Sequence, residues 1–389
     1  MRFERWMLTW ACAALVGIAV SAPQAAPIEP TRDDEVVEVL PALAGGRAEA
    51  RRQRQLLAQK PRDPALALAV AKRYLDQAHE QGDPRFAGMA SAAISAWNDD
   101  AAAPDDVLLM RAGLQQYLHD FDASAATLQR LLARPSAAGR SQAWLTLATV
   151  RRVQGRYAES DEACSEVKRS GAALHGNACT AENLALRGQV DRARELFTTL
   201  LGDRRNPPAT LAWLQTSLAE LEQRAGRASA ADAAFRAALR LDPAPYTALA
   251  YADFLIDEGR ATSALAILKD QPRSDAVLLR LAMAGKAAKA PSATADAAEM
   301  RERIALANER PDAKLFHGRE QAMFALAVEG DAAAALALAR GNAEHQREPL
   351  DLLVLARAAR ASGRPQALDE TRRLAAQIGL VDQRLGRLP

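Results

Sequence analysis

Apolar positions along this chain fall at three- and four-residue spacing, in stretches of about 14 residues closed by Gly, Pro or Asp, which is the period of an amphipathic helix. One stretch runs from Trp213 to Gly226, and a second from Ala230 to Pro243. Within the second, Phe235 and Ala238 stand at i and i+3 and share one helix face. Asp242-Pro243 ends it, because a proline disfavours the helical conformation in the residue before it. Alternating runs of Val, Ile, Thr and Tyr, the material of strands, are absent. The pattern predicts an all-α chain with almost no strand.

The helices come in pairs at a fixed interval. Each pair turns at a glycine, which closes a helix in the left-handed conformation without a Cβ penalty. The turns read Gly155-Arg-Tyr-Ala-Glu-Ser160, Gly188-Gln-Val-Asp-Arg-Ala193, Gly226-Arg-Ala-Ser-Ala-Ala231, Gly259-Arg-Ala-Thr-Ser-Ala264, Gly330-Asp-Ala-Ala-Ala-Ala335 and Gly363-Arg-Pro-Gln-Ala367. Their spacings are 33, 38, 33, 71 and 33 residues, so the long one spans two repeats with an anchor missing near Ala290-Pro291. Further back, His119 stands 36 residues before Gly155, and Gly82 stands 37 before His119. Periodicity at this length is the mark of a repeat array.

The unit resembles the tetratricopeptide repeat. Trp144, Leu147, Ala148, Gly155 and Tyr157 match its pattern in the third repeat, although Ser160, Cys164 and Val167 replace the usual Ala, Phe and Ala. Gly188, Ala193 and Phe197 match in the fourth, and Ala252, Gly259, Ala264, Leu268 and Pro272 in the sixth. The match covers residues 64–389 in about nine repeats and departs from the pattern in the first repeat, near residue 291 and at Gly363. The whole chain also resembles exported bacterial repeat proteins without an assigned activity, through Gly82-Asp-Pro-Arg-Phe86, His119-Asp-Phe121, His317-Gly-Arg-Glu320 and Glu348-Pro349. The resemblance implies a right-handed superhelical solenoid of antiparallel helix pairs over 47–389, with a concave groove lined by the first helix of each pair.

Phase along those first helices nominates the groove residues: Gln142, Thr149 and Arg152, then His175 and Glu182, then Trp213, Glu220 and Arg224, then Tyr246, Asp253 and Asp257. A two-residue shift of phase would instead place Trp213 in the core. The set mixes signs, and no paired Lys/Asn clamp for a peptide carboxylate stands out.

Composition agrees with a helical array. Hydrophobic residues make up 49% of the 389, but aromatics only 5%, and Ala and Leu, which head the helix propensity scale, carry most of the apolar share. Basic and acidic residues balance at 50 and 48, which lacks the basic excess of a nucleic-acid binder. The most basic run, Arg47 to Arg54, reads as a solvated helix face, an anionic surface or partner being the alternative.

Residues 1–26 read as an export signal: Arg2 and Arg5 precede an apolar run from Met7 to Ala22, short of the roughly 20 residues of a membrane span. Val20-Ser21-Ala22 and Gln24-Ala25-Ala26 both offer small residues for cleavage, and an uncleaved anchor is the alternative. Trp10 spoils any lipid-attachment pattern at Cys12. Residues 27–46 form a linker. Cleavage would leave two cysteines, Cys164 and Cys179, and an even pair in an oxidising compartment suggests a disulfide, two buried thiols being the alternative. In the register of the resemblance, Cys164 holds a packing position usually given to Phe, and Cys179 lies in the first helix of the next repeat.

Positive signs of catalysis are missing from the sequence. Histidines 79, 119, 175, 317 and 345 are dispersed, with no pair at metal-ligand spacing. Gly285-Lys286 lacks the upstream glycine of a phosphate loop, since Arg280 stands there. No Gly-x-Ser-x-Gly elbow occurs. His317-Gly-Arg-Glu320 reads as a helix start with groove or capping contacts rather than an acid/base pair. The chain is therefore expected to need no cofactor, to catalyse nothing, and to bind a protein or peptide as a periplasmic scaffold or assembly adaptor. Two alternatives stand beside that expectation. One is an accessory subunit of an envelope enzyme, or of polysaccharide or metalloenzyme maturation. The other is a membrane-tethered structural component.

Overall fold

The computed structural model describes residues 46–81, 84–98, 101–135, 139–309 and 318–388, together with Arg32. The export segment and the linker expected over 1–26 and 27–46 lie outside the described residues, apart from Arg32 and Gly46. Residues 50–389 form one compact unit, distinct from 1–49. Helices α2 onward lie within it.

Among the described residues every regular element is helical. After α1 (Gly46–Gln59) come nine helix pairs: α2 (Pro64–Gln81) with α3 (Pro84–Ala93), α4 (Asp105–Tyr117) with α5 (Phe121–Leu132), α6 (Arg140–Val153) with α7 (Tyr157–Arg169), α8 (Ala173–Leu186) with α9 (Val190–Gly202), and α10 (Pro208–Arg224) with α11 (Ala228–Leu241). The series continues with α12 (Pro245–Asp257) and α13 (Ala261–Leu268), α14 (Asp275–Ala288) and α15 (Ala293–Asn308), α16 (Gly318–Phe324) and α17 (Ala332–His345), and α18 (Pro349–Ala361) and α19 (Pro365–Ile378). A π-helical turn over Ala325–Glu329 extends α16, and the short α20 (Gln383–Gly386) follows α19. The array is an all-α solenoid of paired helices.

The turns explain the period. Gly155, Gly188, Gly226, Gly259, Gly330 and Gly363 all have φ between +64° and +77°. Where glycine is missing, another residue takes the strained conformation: His119 at φ +59° between α4 and α5, and Lys289 at +53° between α14 and α15. Lys289 is thus the anchor that the sequence pattern lacked. The Gly82 anchor lies outside the described residues.

Small side chains set the packing. Ala231, Phe235 and Ala238 of α11 are all buried on the face their spacing gave, and Phe235 meets Tyr251 at 5.2 Å and Phe254 at 5.7 Å between ring centroids. Asp242, before Pro243, is extended at φ −155° and stops α11. Such pairs cannot bury their apolar stripe alone; each neighbour completes the core of the last.

The last repeats also fold back on earlier ones. Buried Tyr157 and Leu186 share one hydrophobic cluster with Leu352, Leu380 and Leu385. Arg347 N–H donates to the Val153 carbonyl at 2.7 Å, and Val381 N–H to the Leu186 carbonyl at 2.8 Å. Arg357 Nη1 reaches Asp257 Oδ1 at 2.8 Å across 100 residues of sequence.

Candidate functional site

Helices α6, α8 and α10 lie side by side as first helices of successive repeats, and a groove of about 550 Å³ runs between them. Five nominated residues line it: Thr149, Arg152, His175, Glu182 and Trp213. The His175 and Trp213 rings stack with centroids 5.9 Å apart and planes at 23°. Trp213 is half-buried, resting one side on the core around Phe197 and Leu214 while it lines the groove. The groove position and the core position were therefore not exclusive.

The groove's charges satisfy one another. The Arg152 guanidinium pairs with Glu182, whose other oxygen accepts from Ser217 Oγ at 2.9 Å. Thr149 Oγ1 donates to the Leu145 carbonyl one turn back, at 3.1 Å. With those formal charges committed, the open surface is aromatic, aliphatic and hydroxyl, together with the sulphur-bearing Cys179.

Beneath the groove, Cys164 of α7 and Cys179 of α8 are joined in a disulfide, their Cα atoms 5.6 Å apart, an ordinary separation for such a bridge. Fully buried Asn183 donates to Ser160 Oγ and Asp161 Oδ1, each at 2.9 Å, and lies 3.5 Å from the Cys164 sulphur. Repeats three and four are thus tied by a covalent bond and a buried amide, which fixes the spacing of α6 and α8.

The other nominated residues separate into smaller groups. Gln142 is exposed and faces a different cavity of about 560 Å³ with Leu75, Tyr117, Met300 and Ile304. Tyr246 donates to Glu220 Oε1 at 2.6 Å. Tyr246 keeps 64% of its surface open although protein encloses it on several sides, as a side chain on the inner wall of a concavity does. Burial pushes the Glu220 carboxyl up from its ordinary value, against the pull of Arg224 and the tyrosine. Arg224 Nε is buried without a hydrogen-bond partner, as is the hydroxyl of Tyr157, which burial pushes up to about 12. Asp253 and Asp257 are not free groove carboxylates. Arg280 grips Asp253 with two bonds, at 3.0 and 2.7 Å, and Arg357 holds Asp257.

Pattern reasoning on the sequence did not find the buried charge nest between α16 and α18. Arg319 pairs with Glu320 at 3.1 Å, Glu348 at 2.9 Å and Asp351 at 3.4 Å. Asp351 also caps α18 by accepting from Glu348 N–H at 2.8 Å, and takes Asn342 Nδ2 at 2.9 Å. Burial pushes its carboxyl up to about 7, opposed by Arg319. The pieces Arg319-Glu320 and Glu348-Pro349 were visible as residues, and His317 lies outside the described residues. Their meeting depends on how repeats eight and nine stack, which no local pattern encodes. Among the described residues, no three His, Cys, Asp or Glu side chains are grouped to hold a metal, and no helix is long and apolar enough to cross a membrane.

No protein-family model matches the chain, and no curated protein does. Solved structures of similar fold include PilF of Pseudomonas aeruginosa, at 16% identity and TM-score 0.37, covering 52% of this chain and 92% of that one. A Rap protein complexed with competence and sporulation factor is similar at 12% identity and TM-score 0.49, covering 87% and 94%. A tetratricopeptide repeat protein of Parabacteroides merdae is similar at 14% identity and TM-score 0.37, covering 65% and 98%.

Proposed function

We propose that this chain is an exported, non-catalytic scaffold or assembly adaptor of the cell envelope, which binds a protein or peptide partner in the groove of α6, α8 and α10. The observation that carries the reading is the groove itself: about 550 Å³, walled by the His175–Trp213 stack and anchored by a disulfide, with its formal charges already paired. Such a wall offers stacking planes, hydroxyls and apolar surface to a partner's side chain. Export is supported by the signal-like pattern of residues 1–26 and by a bridge of the kind that persists in oxidising compartments.

The test is site-specific crosslinking in the native compartment. A photoreactive residue at Thr210, on the groove wall, is expected to capture a discrete partner, and Trp213→Ala is expected to abolish that capture. The same probe at Glu195, exposed on α9, is the control. Equal capture from both positions would sink the groove reading. Retention of residues 1–22 in the mature protein would replace the free periplasmic scaffold by a tethered one.

A further inference from the structure

The six turn glycines are alike in backbone and unlike in what stands over them. A Cβ at Gly259, Gly330 or Gly363 would meet nothing within 4 Å. A Cβ at Gly155 would stand 3.1 Å from Ile378, at Gly188 3.0 Å from Val381, and at Gly226 2.6 Å from Gln383 Oε1 and against Arg387. The chain's C-terminal segment therefore runs along three successive turns, in order, and reaches the end of α12, where Arg384 lies 3.9 Å from Asp257.

That seat has a definite chemistry. The helices that end there, α8, α10 and α12, bring the negative ends of their dipoles to the seat, and the turn after each caps all but its last carbonyl. The Leu186 carbonyl takes the Val381 N–H. Asp257 and Glu220 face Arg384. One main-chain donor and one arginine are thus what the seat selects, with Leu380 and Leu385 filling apolar space beside Leu186.

The occupant is seated through buried Leu380, Asp382 and Leu385, and one main-chain hydrogen bond, from Val381 to Leu186, joins it to the turns. It leaves α19 through Gly379, at φ +77°. Its own helix, α20, has four residues, too few to persist alone. Arg384 is already satisfied by Asp382 of the same segment, at 2.6 Å, so lifting the segment carries that pair away intact. Asp257 keeps Arg357 when it goes.

We propose that residues 379–388 are a releasable latch, and that the seat they cover, on the turns at Gly188 and Gly226 beside Asp257, docks an arginine-bearing peptide segment of a partner protein when the latch leaves. The seat is distinct from the groove of α6, α8 and α10 and does not depend on it.

Amide hydrogen exchange on the intact chain tests release. Residues 379–388 are expected to exchange at least tenfold faster than residues 352–358 of α18, and Asp257→Asn to speed 379–388 further while leaving 352–358 unchanged. Exchange of the two stretches at one rate would make the segment a fixed part of the core and end the proposal. Docking is tested with a fluorescent peptide of residues 379–388 added to the full-length Val381→Pro chain, which lacks the donor to Leu186. Saturable binding is expected there, at least tenfold weaker when Asp257→Asn is added. No binding to a Val381→Pro chain of unchanged helix content would overturn the docking claim. Should that variant fail to fold, Arg384→Ala in the intact chain carries the same expectation and the same refutation.

Discussion

Arginine–carboxylate pairs join neighbouring repeats both at the α6–α8–α10 groove and at the α16–α18 nest, but the two settings differ in water. At the groove, Arg152 and Glu182 keep 20% and 19% of their side chains exposed and border open space. At the nest, Arg319 and Glu320 keep the same 20% and 19%, but the Asp351 side chain keeps 0%, and Arg319 is shared among three carboxylates. A charge that borders open space can be rehydrated when its partner is removed, while removing the partner of a fully buried charge strands it in a medium that cannot solvate it. The same helical repeat thus yields a wall free to meet a partner in one place and a structural lock in another. Whether the space between first helices is left open or filled decides which.

The sharpest way to break the comparison is Arg319→Ala. It would leave Glu348, Glu320 and buried Asp351 without their cation, and a loss of about 3–5 kcal/mol is expected from urea unfolding. A loss under about 1 kcal/mol would mean that the nest is solvated like the groove. The disulfide comes next. Its cysteines are 15 residues apart, so Cys164→Ala with Cys179→Ala should cost about 3 kcal/mol on the chain-entropy model. Thiol titration of denatured, unreduced protein should find neither of these two thiols free.

The nest should also be legible in pH. Asp351 has its folded pKa raised to about 7, above the unfolded value of 3.8, so the folded state holds an extra proton between those limits. Its contribution to stability is full below about pH 4 and is lost as pH rises through 7. Arg319 keeps its charge throughout, since its carboxylate neighbours outweigh the cost of its burial. Asp351→Asn, which mimics the protonated form, should therefore gain on the parent by about 2–3 kcal/mol between pH 5 and pH 8. A difference that stays constant over that range would show Asp351 ionised across it.

Much of this architecture was readable from the chain. Turn glycines and proline stops act through local backbone conformation, so Gly155, Gly188 and Asp242-Pro243 announced themselves without any tertiary context. The pairing of Cys164 with Cys179 followed from the count of cysteines that cleavage would leave. Lys289 escaped because an occupied left-handed position has no residue signature when the residue is lysine. Groove phase was readable for Thr149, Arg152, His175, Glu182 and Trp213 because a helix face repeats regularly. It failed to keep Gln142 with them, because that residue sits toward the opposite end of α6 and faces another cavity. Nothing in the pattern announced that Arg357 and Arg384 would return to Asp257, since the superhelix brings them back across 100 residues or more.

The smallest expected effect is the most informative about the groove. Arg152→Ala removes an ion pair that keeps about a fifth of its surface open, but Glu182 borders the groove and keeps its bond from Ser217, so no charge is stranded. Stability should change by no more than about 1 kcal/mol, against several for Arg319→Ala. Capture of a partner from Thr210 should nevertheless fall, because the freed Glu182 adds a negative charge to a wall that had none uncommitted and lets the mouth between α6 and α8 relax. Arg152→Lys restores the charge without the guanidinium's fixed fork and should recover capture only in part. A variant as unstable as Arg319→Ala would place Arg152 with the structural locks. A variant with unaltered capture would show that the partner does not read this wall.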